Sequence, residues 1–379
     1  MKKPLLFLLL FIISLSITVC AQDTIINKQN KKLIEQIKEH VTIGGWIDAQ
    51  YAYERNNDAN QSSVMQIRRA RLDFKGGLSH WVDFGLQADL ANSPKLIDAF
   101  VKVNFCKYAK LQVGQFKIPF SIENKLSPLD LEFTENAQII SALSDYKDIT
   151  GISSYANGRE IGIMLTGTLA EAEVRGEKLP ILTYGVGLFG GNGINIKTDN
   201  MAKDISARLE FCPFIKGLNI SISEYWGRYN MLYDNISTGI DGKRLRVASG
   251  IEYKTRRLDV RGEYLWGATD FAIPDPVYSS EYYTKTVHTD GFYIVGSYWF
   301  DFGWGENIPI RQRLRPVLRF DYYRYDKEDV TDRASLYYNA GVEWIPEKHL
   351  ILRLNYTLKQ RYNIDQLGHN FTTMLTVKF

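Results

Sequence analysis

Cysteine, proline, histidine and long apolar runs are all scarce in this chain, and each shortage closes a class of function. Three cysteines in 379 residues cannot build the disulfide framework of a small secreted scaffold. One of them, Cys20, belongs to the leader. Cys106 and Cys212 fall at expected strand ends far apart in strand order, so they are expected to stay unpaired. After the first twenty residues no stretch approaches the roughly eighteen continuous apolar residues that a membrane helix needs. The formal charge of +3 gives no bulk basic excess for nucleic acid. Five histidines, His40, His80, His288, His349 and His369, lie near segment ends without Ser or Asp in any hydrolytic arrangement. No enzyme, metal or cofactor is expected. Only 11 prolines stand against 29 Gly, 23 Tyr and 19 Phe, a composition that leans towards aromatic-rich β-structure.

What is present starts with a leader. Lys2 and Lys3 precede an apolar stretch from Leu5 to Thr18, and Val19-Cys20-Ala21 offers a small-residue cleavage site before Gln22. That is the pattern of a secretory signal peptide over 1–21. Cys20 invites a lipoprotein reading, but Val19 fits a lipobox poorly. Residues 22–40 read as a short polar periplasmic segment, either a helix or a tail. An exported chain without a membrane helix is soluble outside the cytoplasm or crosses a membrane as a barrel.

From Val41 the pattern becomes alternation with period two, broken by Gly- and Asn/Asp-rich turns. Strands are predicted near 41–54, 64–76, 79–90, 95–105, 109–117, 159–168, 180–189, 203–212, 217–227, 244–254, 257–267, 288–300, 312–325, 333–344, 349–359 and 368–379. Most are long enough to cross a bilayer at a tilt, and their number is even. Connections after odd strands are predicted long (118–158, 228–243, 268–287). Those after even strands are predicted short, with 169–179 and 301–311 as exceptions. This is the asymmetry of an all-β transmembrane antiparallel barrel of about 16 strands, spanning 41–379. A soluble β-sandwich of this size would show a linker or repeats, and 41–379 shows neither. The chain ends LTVKF, and a terminal Phe379 is typical of barrels inserted by the outer-membrane assembly machinery.

Parity assigns the faces. In SHWVDFGLQADL, Val82, Phe84, Leu86, Ala88 and Leu90 oppose Asp83, Gln87 and Asp89; RLDVRGEYLWG and RLRPVLRFDYY divide in the same way. A charge facing lipid near mid-membrane costs a few kcal/mol, so the charged face must be the lumen. The stretch QIRRARLDFKG at 66–76 then turns Arg69, Arg71, Asp73 and Lys75 inward, behind a lipid face of Ala70, Leu72 and Phe74. Arg68 has the wrong parity: either it sits above the hydrocarbon on the extracellular side, or a bulge near Ile67 swings it inward. Asp73 can serve only one of Arg69 and Arg71 well, so one guanidinium is expected to stay available.

The same rule sends Arg208, Arg244, Arg246, Arg257, Arg261, Arg313, Arg315, Arg319, Arg353, Lys102 and Lys110 inward, with ten acids among them. Two readings stay open. The acids neutralise the arginines in structural ladders, or a minority of free arginines makes an anion path. Residues 118–158 form the third outer connection, a candidate constriction. It carries Glu123, Asp130, Glu132, Glu135, Asp145 and Asp148 against Lys125 and Lys147, a charge that opposes an anion-selective eyelet unless wall arginines pair with it.

Together RRARLDFKG, VGQFKIPFSIE (113–123), YGVGLFGGNG (184–193), RGEYLWG (261–267), GFYIVGSYWF (291–300) and RPVLRFDYY (315–323) resemble the phosphate-selective porin O and P family. The resemblance implies a homotrimer of sixteen-stranded barrels in the outer membrane of a Gram-negative bacterium, embedded in lipid and passing phosphate or similar anions passively. It carries anion guidance onto Arg68 and Arg69, and onto Arg319. The acidic third connection departs from the family's basic constriction. A general or weakly selective porin, or a structural or adhesive barrel, are the alternatives.

Overall fold

The computed structural model describes residues 41–379 apart from 57–59, 145–147, 152–157, 175–176, 198–202, 235, 275–281, 304–310, 327–333 and 363–364. The leader and residues 22–40 lie outside the described residues. The strands come in chain order as β1 (Val41–Arg55), β2 (Gln61–Gly77), β3 (Val82–Asp89), β4 (Lys95–Cys106) and β5 (Ala109–Lys117). After two short helices, α1 (Ile122–Lys125) and α2 (Gln138–Ser144), come β6 (Arg159–Val174), β7 (Glu177–Phe189), β8 (Asp204–Phe211) and β9 (Leu218–Tyr233). Then follow β10 (Ile236–Lys254), β11 (Leu258–Pro274), β12 (Tyr282–Tyr298), β13 (Phe300–Gly303) and β14 (Arg311–Asp326). The last are β15 (Ala334–Glu347), β16 (Leu350–Arg361) and β17 (Gly368–Lys378).

Every described pairing is antiparallel, between strands adjacent in sequence or, for β12 and β14, across the short β13, and β1 joins β17 to close the ring. Closure leaves no open edge, the condition for burying a sheet in lipid. The last residue completes the seam, since Phe379 and Gly45 exchange backbone hydrogen bonds at 3.0 and 3.1 Å. β12 and β13 are one wall strand: the register on β14 is unchanged from Ser297↔Val317 to Phe300↔Leu314. The gap lies opposite Pro316, which has no N–H to give. The barrel therefore has 16 strands.

The faces are inverted relative to a soluble protein. Leu318, Ile294 and Ile251 are 68%, 54% and 50% exposed, whereas Arg261 and Asp321 are 2% and 1% exposed. Only a barrel with lipid outside and polar groups inside makes sense of that pattern.

Several boundaries move. β9 and β10 continue to Tyr233 and from Ile236, so 228–243 is mostly strand and not a long loop. The burial alternation of β9 runs unbroken from Ile220 to Met231. β11 and β12 likewise consume most of 268–287, and β6 and β7 consume most of 169–179. Arg257 sits exposed in the turn before β11 and not in the lumen.

Candidate functional site: a channel divided by an inward segment

The segment 118–158 does not stand clear of the barrel. Its apolar residues Ile118, Phe120, Phe133, Ala137, Ile139, Ile140 and Leu143 share one buried cluster with Tyr225, Ala248, Leu265, Tyr293, Val295 and Val317 of β9–β14. The segment is therefore packed on the inner face of the opposite wall.

Its polar attachments are as specific. Ser121 caps α1, accepting from the N–H of Asn124 at 3.3 Å and donating to Glu263 at 3.0 Å. Glu263 of β11 also accepts from the N–H groups of Ile122 and Glu123 at 2.5 and 3.0 Å. A buried carboxylate thus satisfies amide hydrogens that the helix start leaves open. Arg261 binds Glu132 at 2.7 Å and lies 3.8 Å from Glu123. Arg315 reaches Glu132 at 3.7 Å, and Arg246 grips Asp148 with both Nη groups at 2.6 and 2.9 Å. Arg319 and Arg353 donate to the carbonyls of Glu135 and Leu129 at 2.9 and 2.6 Å. Burial would raise the Glu132 carboxyl, but the Arg261 and Arg315 guanidiniums override it and hold it at about 2.

Apart from Arg257, the arginines expected to face inward each have a carboxylate partner. Arg69 pairs with Asp48 at 3.2 Å and Arg71 with Asp89 at 3.2 Å. Asp73 accepts from Gln87 at 2.6 Å. The expectation that Asp73 leaves one of the two guanidiniums available fails, because acids from β1 and β3 supply the partners. Arg68 is the extra residue of a bulge, skipped between Asp48↔Arg69 and Ala49↔Ile67, and it reaches Glu135 at 2.7 Å. Arg208 pairs with Glu210 at 2.7 Å, Arg319 with Asp321 at 3.2 Å and Arg353 with Glu343 at 2.5 Å. Of the segment's charged residues, Asp130 is exposed, Lys125 bonds Glu210, and Lys147 and Asp145 lie outside the described residues.

Beneath the near edge of the segment is a chamber of about 590 Å³ against β2–β8. Nine cationic side chains line it: Arg71, Lys75, Lys102, Lys107, Lys110, Lys117, Lys125, Arg159 and Arg208, against two acids, Asp98 and Glu210. Asp98 is held bidentately by Arg159 at 2.7 and 3.1 Å. Glu210 serves both Lys125 and Arg208, and the two Nη groups of Arg208 have no partner among the described residues. Lys102 faces Asp83 across β3 and β4, but Asp83 accepts from Asn104 at 2.7 Å. Among the described residues neither Lys102 nor Lys110 has an ion-pair partner. Parity had sent both inward. The turn residue Lys107 was missed because alternation says nothing at a turn, and Lys117, the last residue of β5, because its parity groups it with the lipid-facing Val113.

Solved structures share this fold. The anion-selective porin from Comamonas acidovorans superposes with a TM-score of 0.62 at 12% identity, covering 89% of this chain and 99% of its own. The outer membrane channel DcaP of Acinetobacter baumannii gives 0.60 at 14% identity, covering 89% and 97%. OmpT of Vibrio cholerae, in its trimer form, gives 0.60 at 10% identity, covering 89% and 99%. At such identities the likeness speaks for the fold alone. Among curated proteins, none matches the chain. The family profile of phosphate-selective porin O and P, however, matches residues 40–378, nearly the whole barrel, and the chain therefore belongs to that family of outer-membrane porins.

Proposed function

We propose that the channel passes small anions in preference to cations, and that lysines carry the preference more than arginines. The observation that supports this is the chamber, where Lys102 and Lys110 lack carboxylate partners among the described residues and Glu210 is shared by two cations. Uncompensated positive charge in a narrow aqueous passage raises the local anion concentration. Three acids of 118–158, Glu132, Glu135 and Asp148, do not oppose this, since each is taken by an arginine. On this reading the segment is the constriction, pinned to the far wall so that solute passes between it and the lysines of β4 and β5. Phosphate, which the family's description names, is one such solute. A homotrimer in the outer-membrane lipid is the assembly we infer, one similar structure being a trimer form.

The test is the zero-current potential of the purified channel in a KCl gradient, where chloride preference should set its sign. A weakly selective porin is the second reading, favoured by the pairing of the inward arginines with carboxylates. A potential near zero at low salt would select it.

A further inference from the structure

The cationic chamber also presents an aromatic ring. Phe100 stands on the inner face of β4, two residues from Lys102, so the two side chains start about 7 Å apart. Its row across the wall reads Lys75, Gly85, Phe100, Gly114. A Cβ on Gly85 would lie 2.5 Å from the ring, so the empty side chain at 85 is what lets the ring settle against β3 beside Lys75. Gly114, at φ +133, leaves no room for a side chain either, its Cβ position being 2.1 Å from the Ala99 carbonyl oxygen. One side of the ring packs on Phe116, centroids 6.3 Å apart at 82°. The rest is partly exposed and lines the chamber with Met164.

An inorganic anion gains nothing from that ring. The face of an aromatic ring carries negative potential, and apolar surface cannot replace water in a phosphate's hydration shell. An anion with an apolar body gains at both ends: a cation for its head and apolar surface for its body.

We infer, resting on the anion-channel reading, that the chamber is a binding station for small organic anions bearing a carboxylate or phosphate on an apolar body. The head lies at Lys102 and Lys110, and the body lies on Phe100 and Met164.

The test is block of the chloride current in planar bilayers by phosphate against phenyl phosphate, and by acetate against benzoate. Covering one ring face, roughly 60 Å² at ~25 cal/mol per Å², corresponds to about tenfold tighter binding. Phenyl phosphate and benzoate should therefore half-block at about tenfold lower concentration than phosphate and acetate. Phe100→Ala should abolish that difference while chloride stays preferred over potassium. The comparison on the unaltered protein stands even if this variant fails to fold. Equal half-blocking concentrations within each pair, or an aryl advantage that survives in Phe100→Ala, would overturn the inference and leave the anion-channel reading intact. Potassium preference in the unaltered channel would overturn that reading itself.

Discussion

Arg261 keeps only 2% of its surface exposed although it stands in the wall of a channel. Its partners Glu132 and Glu123 come from the inward segment, far away in sequence. Parity could place Arg261 inside, because side-chain alternation is local. It could not find those partners, because they depend on where a long connection comes to rest. Lys102 and Lys110 carried the same inward signal as the arginines, and only the distribution of acids separates the two groups. Removing one member of a buried charge cluster strands the others, at a cost of about 3–5 kcal/mol. Arg261→Ala should therefore loosen the segment and raise single-channel conductance, with the barrel still assembled. Unchanged conductance would show that Arg261 does not seat it.

Glu123 adds a pH dependence of opposite sign to that of Glu132. Burial raises its carboxyl to about 7 from an ordinary 4.5, against the pull of Arg319 and Arg261. A raised carboxyl pKa stabilises the seated segment fully below pH 4.5, and that contribution is lost as the pH rises through about 7. Glu132, held at about 2, contributes above pH 4.5 and loses its contribution as the pH falls towards 2. The segment should be seated most firmly near pH 4.5, with open-channel current noise growing towards pH 7. Glu123→Gln should flatten the rise between pH 4.5 and 7. An identical rise in that variant would assign it to another group.

At the scale of elements, the described residues of the inward segment join the wall's backbone ladder only at its ends, where the Ile118 N–H donates to the Gly158 carbonyl at 3.0 Å. The described wall pairings run from strand to strand, β5 directly to β6. Deleting residues 125–150 should raise conductance and leave heat-modifiable gel migration unchanged. A barrel that no longer assembles would make the segment part of the folding core. The strands were legible from period two alone, and the polarity of Arg68, which contradicted its parity, left a bulge as one of two readings. Their upper ends were not. Polar stretches such as ISTGIDGK look like loops, yet β9 and β10 pair there beyond the apolar band, where water and not lipid faces the strands.

At the scale of the whole molecule, closure and charge division follow from one constraint. Lipid outside demands a sealed ladder and sends nearly every charge inward; the segment then consumes the far wall's arginines, while Lys102 and Lys110 have no ion-pair partner among the described residues. The closed ring should show as β-dominated circular dichroism and heat-modifiable migration in outer-membrane fractions, and a soluble periplasmic protein would contradict it. The most direct test of the charge division is the zero-current potential in a KCl gradient at low salt, with Lys102→Gln/Lys110→Gln beside the unaltered channel. Both side chains face the lumen outside the backbone ladder, so the barrel should persist. The unaltered channel should favour chloride, and the double variant should move several-fold towards potassium in permeability ratio, the shift shrinking as salt screens the charges. A double variant with the unaltered ion preference at low salt would contradict the assignment of anion preference to these lysines.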